Sequence, residues 1–554
     1  MGNKDVENNC QSDVVNNDKN STNLPEKSDP DEQSPAEINT QQAVNLAGFG
    51  KFNYKIIIIS GLSSMNTAFG ITTLGFVLPS AACDFQMSTV DKGRLNTGFI
   101  FGMLCGAYIW GCLADTMGRR YTLLRCLFLQ ASFECLASLI PNYWGVFVSK
   151  TIIGFALGGE MATLYTYVGE FQPAIYRKKV LSTMEIPTIS GIFVTSIFAW
   201  LIIPLNISAD FGGFFFHSWN LFNLICAIPS LITAIWLLFL PETPKYLSEF
   251  GNDEELFFVL SRMYRENTGK SSEEYLTELN GYGISSISQL INPKTEEQQN
   301  ESKISQIRKM LFQQTGDLLR PPFLGRTLLV CTIMFCIFSS MFTLMMWFPE
   351  LFDRFAAFES MYPNEHASVC RVSETTFKNT TLNDSAEMPD CPTEINTQVY
   401  VHSLTLGAAS IPVAVLFPIF VNRIGFKISL IVGMSICAGS TIGLFFVRSS
   451  TENLILSSIF QALISICSTV ICCVVVEIFP TKLRATAAAL GSLCARSGAL
   501  IGNTTFSYLI DNYCMILITF LTCQLIVGGV LALFLPNQKP ETSNKKVCAV
   551  DPQT

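Results

Sequence analysis

Apolar and polar positions alternate along this chain on a coarse scale. Long apolar runs lie near 55–81, 95–114, 121–140, 144–168, 181–204 and 219–240, and again near 326–348, 399–421, 427–447, 454–476, 485–509 and 513–535. Each is close to or above the roughly 20 residues that an α-helix needs to cross a bilayer. The pattern therefore predicts an all-α membrane protein with twelve transmembrane helices. Polar sequence divides the chain further. Residues 1–50 read as a disordered tail. Residues 241–325 read as a linker joining a half at 51–240 to a half at 326–536. Within the second half, 349–398 reads as a long loop, and 537–554 is a closing tail. Inside the linker, residues 252–267 have the spacing of a short amphipathic helix, with Asn252 as its N-cap.

Composition agrees with this reading. Only 14% of residues are charged, against about 25% in soluble domains, and mean hydropathy is +0.36. The net charge of -8 supplies no basic footprint for nucleic acid. The first segment sets Lys4, Lys19 and Lys27 against nine acidic residues, with no apolar stretch of the kind a signal peptide needs.

Charge also orients the spans. One set of loops carries Arg119, Arg120, Arg177, Lys178, Lys179, Arg423, Lys427, Lys482 and Arg484, whereas the short loops of the other set hold Lys92, Arg94 and Arg448. The positive-inside rule then predicts cytoplasmic termini and an extracytoplasmic loop at 349–398. That loop contains the glycosylation acceptor patterns Asn379-Thr-Thr and Asn383-Asp-Ser. It also contains Cys370 and Cys391, candidates for a disulfide in an oxidising compartment.

The two halves echo each other. Asp115, Gly118 and Arg120 after the second span match Asn422, Gly425 and Lys427 after the eighth, and Glu170, Pro173 and Arg177 after the fourth match Glu477, Pro480 and Arg484 after the tenth. The offset is shared, since 422 minus 115 and 477 minus 170 are both 307. Two motifs in one register predict two parallel six-helix pseudo-repeats. Asp115 and Arg119 are four apart and can pair if the second helix runs through them. A cluster of Asp115, Arg119, Arg120, Glu170 and Arg177, with Glu477 and Arg484 in the second half, is suited to locking one end of a two-state rocker. The competing reading is that these charges only anchor helix ends.

At this level the residues resemble a family. "GCLADTMGRR" (111–120) and "PETPKYL" (241–247) are similar to motifs of the sugar and organic-ion porters of the major facilitator superfamily. "GFVLPSA" (75–81), "FHSW" (216–219) and "WFPELF" (347–352) resemble the synaptic vesicle glycoprotein 2 family and its relatives. The resemblance covers nearly all of residues 50–536. It departs where those proteins carry acidic residues in the first helix, since Thr67 and Gly70 stand at the matching positions here. Lys150 stands where the porter pattern has Arg.

The resemblance implies the major facilitator fold, with the first, fourth, seventh and tenth helices lining a central cavity. Asn66, Glu160, Tyr167, Trp347 and Gln461 on those helices then become candidates for substrate contact. Hydroxyl stripes such as Ser339 and Thr343 serve equally for helix packing. Charges within a span are costly and mark function by default; Glu160 and Arg496 qualify and can pair across the halves. Glu134 and Lys150, at matching depth on consecutive helices, read as a structural ion pair. No nucleotide loop, nucleophile motif or metal-ligand cluster is present in the sequence, so neither catalysis, a cofactor nor a metal is expected. The expected function is alternating-access transport of a small organic solute, an organic ion or sugar-like molecule, with a proton or sodium as coupling ion. A monomer in the lipid bilayer of the plasma membrane or an intracellular vesicle would suffice. The alternative is a transporter-shaped regulator of vesicle trafficking or secretion that moves nothing.

Overall fold

The computed structural model describes residues 35–536, apart from 206, 212–213, 251–252, 283, 285–289, 291–312, 314, 363–364, 366 and 383–396. After a short helix α1 (Pro35–Leu46), the first half is built from α2 (Lys51–Ser80), α3 (Thr89–Met117), α4 (Arg119–Ala137) and α5 (Tyr143–Glu170). The fifth span is broken into α6 (Ala174–Thr183) and α7 (Glu185–Ile202), and α8 (Ser218–Leu237) is the sixth. The linker forms α9 (Pro244–Phe250), α10 (Asp253–Thr268) and α11 (Ser272–Gly281). The second half contains α12 (Leu324–Met361), α13 (Val369–Leu382), α14 (Thr397–Ile424), α15 (Phe426–Gly443), α16 (Ser450–Ile478), α17 (Thr481–Leu509) and α18 (Cys514–Ala532).

Twelve spans in two six-helix halves result. Ten candidate spans are apolar and long enough by composition alone. The other two are α4, which includes Arg119, Arg120, Arg125 and Glu134, and α17, which includes Lys482, Arg484 and Arg496. Among the described residues, the halves meet chiefly where α2 packs on α12, α3 on α17 and α7 on α14.

In a bilayer the contact between helices must come from close packing, because lipid is as apolar as leucine. The α3–α5 pair shows how the sequence achieves it. A Cβ on Gly102 would lie 2.0 Å from the Thr151 carbonyl oxygen, and one on Gly158 would lie 2.3 Å from that of Met103. Glycines from both helices thus let the two backbones touch.

The repeat extends to side-chain contacts. Arg120 Nη2 donates to the Leu238 carbonyl at 2.6 Å near the end of the sixth span. Its counterpart Lys427 Nζ donates to the Leu535 carbonyl at 2.8 Å near the end of the twelfth. A cation on the free carbonyls of a helix C-terminus is a favourable placement.

Several expectations change. The polar segment to residue 50 was expected to be a tail, but its last part forms α1, which docks on the linker. Tyr275 Oη donates to the Ala43 carbonyl at 2.9 Å, and Asn267 Nδ2 donates to the carbonyls of Ala47 and Gly48. The long loop was expected to start at 349, yet α12 continues through Pro349 to Met361. A hairpin of β1 (Ser208–Phe211) and β2 (Phe214–His217) precedes α8. Cys370 bonds to Cys514 at the start of α18, not to Cys391. Cys391 lies outside the described residues, and Cys83 is also disulfide-bonded. Asn252, Asn383 and the side chain of Asn379 lie outside the described residues as well. Asn503, which also fits the glycosylation pattern, is fully buried and accepts from Trp347 Nε1 at 3.2 Å.

Candidate functional site

Three groups of polar side chains stand out, one at the arginine-rich end, one inside the first half and one at the opposite end.

At the arginine-rich end, α3 stops at Met117 and α4 starts at Arg119, so Asp115 and Arg119 are not on one continuous helix. Gly118 makes the break with φ of +103°, a conformation that suits glycine. A Cβ there would also lie 2.4 Å from Glu242 Oε2. Across this turn Arg119 Nη2 still reaches Asp115 Oδ1 at 3.3 Å, and its Nε reaches Glu170 Oε1 at 3.4 Å. Asp115 is 60% exposed and Glu170 13%, so the Glu170 contact is the stronger one.

The hub is a residue the sequence reading passed over. Glu242, inside "PETPKYL", accepts the backbone N–H groups of Arg119 and Arg120 at 3.0 Å and that of Thr243 at 3.0 Å. Burial pushes its carboxyl above the ordinary range, and these N–H donors offset the rise. Arg177 Nε donates to the Gly169 carbonyl at 2.9 Å, and its guanidinium also bonds Gln41 of α1. The side chain of Glu477 lies outside the described residues. Arg484 stands in the first turn of α17.

Inside the first half, Glu160 of α5 is fully buried. Ser63 Oγ donates to its Oε1 at 2.6 Å, and Asn66 Nδ2 approaches both carboxylate oxygens at 3.3 and 3.4 Å. Asn66 Nδ2 also donates to Gln130 Oε1 of α4 at 2.8 Å. No Lys, Arg or His side chain bonds this carboxylate among the described residues. Arg496, the expected partner, lies at the α3–α17 seam and donates to the Met103 carbonyl at 2.6 Å. Expectation and structure therefore differ: Glu160 and Arg496 do not meet here.

The remaining candidates separate. Tyr167 is buried near the arginine-rich end and donates to the Pro241 carbonyl at 3.1 Å, away from Glu160's partners. Trp347 is stacked on Phe506 with ring centroids 4.6 Å apart, within the second half. Ser339 and Thr343 press on Gly502, where a Cβ would lie 2.7 and 2.3 Å from their hydroxyls, so these two hydroxyls pack against α17 in this structure. Gln461 is buried on α16, with its Oε1 unpaired among the described residues. Glu134 and Lys150 do pair, at 2.6 Å, and Lys150 Nζ also donates to Asn223 Oδ1 at 2.7 Å. Sequence reasoning also passed over Glu185, in the first turn of α7. The clue was a carboxylate inside a predicted span.

Two six-helix halves, glycine-broken charged turns and a buried intramembrane carboxylate define the class of major facilitator transporters, multi-pass proteins of the membrane. The family described as "Sugar (and other) transporter" matches residues 41–354, and the Major Facilitator Superfamily matches 392–547. The chain belongs to the sugar (and other) transporter family. Among curated relatives it is 25% identical to synaptic vesicle glycoprotein 2B of Mus musculus, over 90% of this chain and 85% of that protein. It is 24% identical to synaptic vesicle glycoprotein 2C of Mus musculus, over 89% and 80%. Among solved structures, the partially occluded inward-open xylose transporter XylE from E. coli superposes with a TM-score of 0.62 at 15% identity, covering 88% of this chain and all of that one.

Proposed function

We propose that this protein is a secondary transporter working by alternating access, that its solute is small, polar and organic, and that a proton carried by Glu160 couples transport. The observation that carries the reading is the environment of Glu160: a fully buried carboxylate held by Ser63 and Asn66, with no bonded cation among the described residues. An unpaired charge in such a place is expensive, so this carboxyl favours a proton whenever water is shut out of the site. That is the property a coupling acid needs. A neighbour in fold is described as a D-xylose-proton symporter, which favours a sugar-like solute over an organic ion. The arginine-rich end is cytoplasmic on the positive-inside rule, and the membrane is that of the cell surface or of a vesicle. The test is uptake into proteoliposomes across a panel of sugars and organic ions, with and without an inward proton gradient. Gradient-stimulated uptake of a panel member supports the reading; gradient-insensitive transport overturns the coupling.

The likeness to synaptic vesicle glycoproteins 2B and 2C favours a second reading, a non-transporting regulator of trafficking. It predicts no uptake of any panel member, together with a secretion defect when the protein is removed.

The Arg119 cluster is proposed to hold the cytoplasmic end when that end closes. Arg119→Ala leaves Glu170 without this partner and removes the guanidinium 5.7 Å from the Tyr246 ring centroid. Uptake is expected to fall about tenfold, within the ordinary range of coupling energies, while membrane insertion and a monodisperse gel-filtration profile persist. Wild-type uptake in the inserted variant would remove the gating role. The loop near α13 is proposed to be extracytoplasmic and glycosylated at Asn379, Asn383 or both. Enzymatic deglycosylation should increase gel mobility, and Asn379→Gln with Asn383→Gln should abolish the increase.

A further inference from the structure

The end opposite Arg119 carries a second charge cluster that the proposed coupling does not use. Lys92 Nζ, in the first turns of α3, donates to both oxygens of Glu350 on α12, at 2.9 and 2.7 Å. Arg354, one turn further along α12, donates to Glu350 Oε1 at 3.2 Å and to Asp511 Oδ1 at 2.8 Å. Its remaining nitrogen donates to Thr89 Oγ1, on α3, at 2.9 Å. Lys92 and Thr89 belong to the first half; the other three belong to the second.

Four features give this cluster a direction. The four bonded charges balance, two positive against two negative, and Asp353, beside Arg354 on α12, adds a third carboxyl within electrostatic reach of Lys92 and Arg354. The side chains of Lys92 and Glu350 are only 11% and 6% exposed, so water replaces a lost partner poorly and the pair is worth more than a surface ion pair. The seam behind it is closed: Thr97 Oγ1 and Thr504 Oγ1 lie 3.1 Å apart, and a Cβ on Gly93 would overlap Ser507 at 2.0 Å. Finally, the second-half side is prebuilt. Arg354 holds both Glu350 and Asp511 within its own half, and Asp511 lies three residues before Cys514, which is bonded to Cys370. If the halves part at this end, Glu350 keeps Arg354, and Lys92 passes into water. Of the bonded charges, none is then left buried without a partner.

We propose that Lys92 and Glu350, backed by Arg354, form an ion-pair latch across the two halves that sets the share of molecules closed at this end. The proposal rests on the alternating-access reading, but its test reads accessibility and not uptake, so failure of one is distinguishable from failure of the other. Thr504→Cys places a thiol behind the latch. A membrane-impermeant maleimide is applied to each side of the membrane separately, and labelling of the native cysteines is subtracted using the chain without Cys at 504.

Lys92→Met should raise labelling from the α13 side about tenfold, an ordinary coupling ratio. Lys92→Arg should stay near the parent rate. Arg94→Met should leave labelling unchanged, because the Arg94–Asp91 bond at 2.8 Å lies within α3. Glu350→Gln, which keeps the side-chain shape, should change labelling in the same direction as Lys92→Met and serves if that variant fails to accumulate. Parent-rate labelling in Lys92→Met and Glu350→Gln, or an equal rise in Arg94→Met, would overturn the latch.

Discussion

Glu160→Gln is expected to abolish gradient-driven accumulation while leaving exchange of solute across the membrane intact. The amide keeps the acceptor oxygen that takes the Ser63 hydroxyl at 2.6 Å and has nearly the same volume, so the packing of α2, α4 and α5 survives. What disappears is the only group of the cluster that can gain and lose a proton. A carrier whose coupling site is fixed neutral can still cycle with solute bound on both strokes, but it cannot harvest the gradient. Accumulation should fall about tenfold or more, toward the equilibrative level, while counterflow proceeds. The measurement is paired uptake and counterflow in proteoliposomes over a range of external pH. Undiminished gradient-driven accumulation would remove Glu160 from the coupling role. Glu160→Ala should be worse, because it also leaves the Ser63 hydroxyl without its acceptor, at roughly 1–3 kcal/mol for an unsatisfied buried group. Since Glu160 and Arg496 share no bonded partner here, Glu160→Gln and Arg496→Ala should combine additively.

Lys150→Met is expected to cost stability instead of function. Lys150 and Glu134 are 2% and 1% exposed, and they bond at 2.6 Å. Asn223 completes the arrangement, accepting from Lys150 at 2.7 Å and donating to the Glu134 carbonyl at 2.9 Å. This ties α4, α5 and α8 together. Removing the ammonium strands a carboxylate in the interior, which costs about 3–5 kcal/mol when one partner of a buried pair is lost. The single variant should show a clearly lower apparent melting temperature in detergent and a lower monodisperse yield. Lys150→Met with Glu134→Gln should recover most of the loss, because no charge is then stranded. If the single variant is as stable as the double, the pair is dispensable.

The membrane fold was legible because its cause is written in long apolar runs and in one repeated register. Glu134 and Lys150 were legible for a related reason: two opposite charges at one depth in a bilayer must answer to each other. The facing of individual helices was not. Around a membrane helix, both the lipid side and the packed side are apolar, so the stripe of Ser339 and Thr343 looked the same whether it lined a cavity or met Gly502. The contacts of Tyr167 with Pro241 and of Trp347 with Asn503 and Phe506 were not legible for the same reason. Glu350 and Lys92 are 258 positions apart, and no local pattern announces their meeting. The Cys370–Cys514 bond spans 144 positions, whereas Cys391 was simply the nearer cysteine. The hairpin did leave a trace, Gly212-Gly213 between aromatic runs, which is a turn signal.

Helix α3 carries Lys92 near one end and Asp115 near the other, 115 minus 92 or 23 residues apart, which is about 35 Å at the α-helical rise. Its glycine-mediated contact with α5 fuses the two into one beam, and α5 brings Glu160 at mid-span and Glu170 at the tip. A beam of that stiffness cannot loosen at one tip without tilting the other. Such a beam pivots where it meets the second half, near Met103, whose carbonyl takes the Arg496 guanidinium at 2.6 Å, and it holds its shape through Gly102 and Gly158. Adding a methyl group at either glycine would wedge the beam apart and leave its two tips free to move out of step.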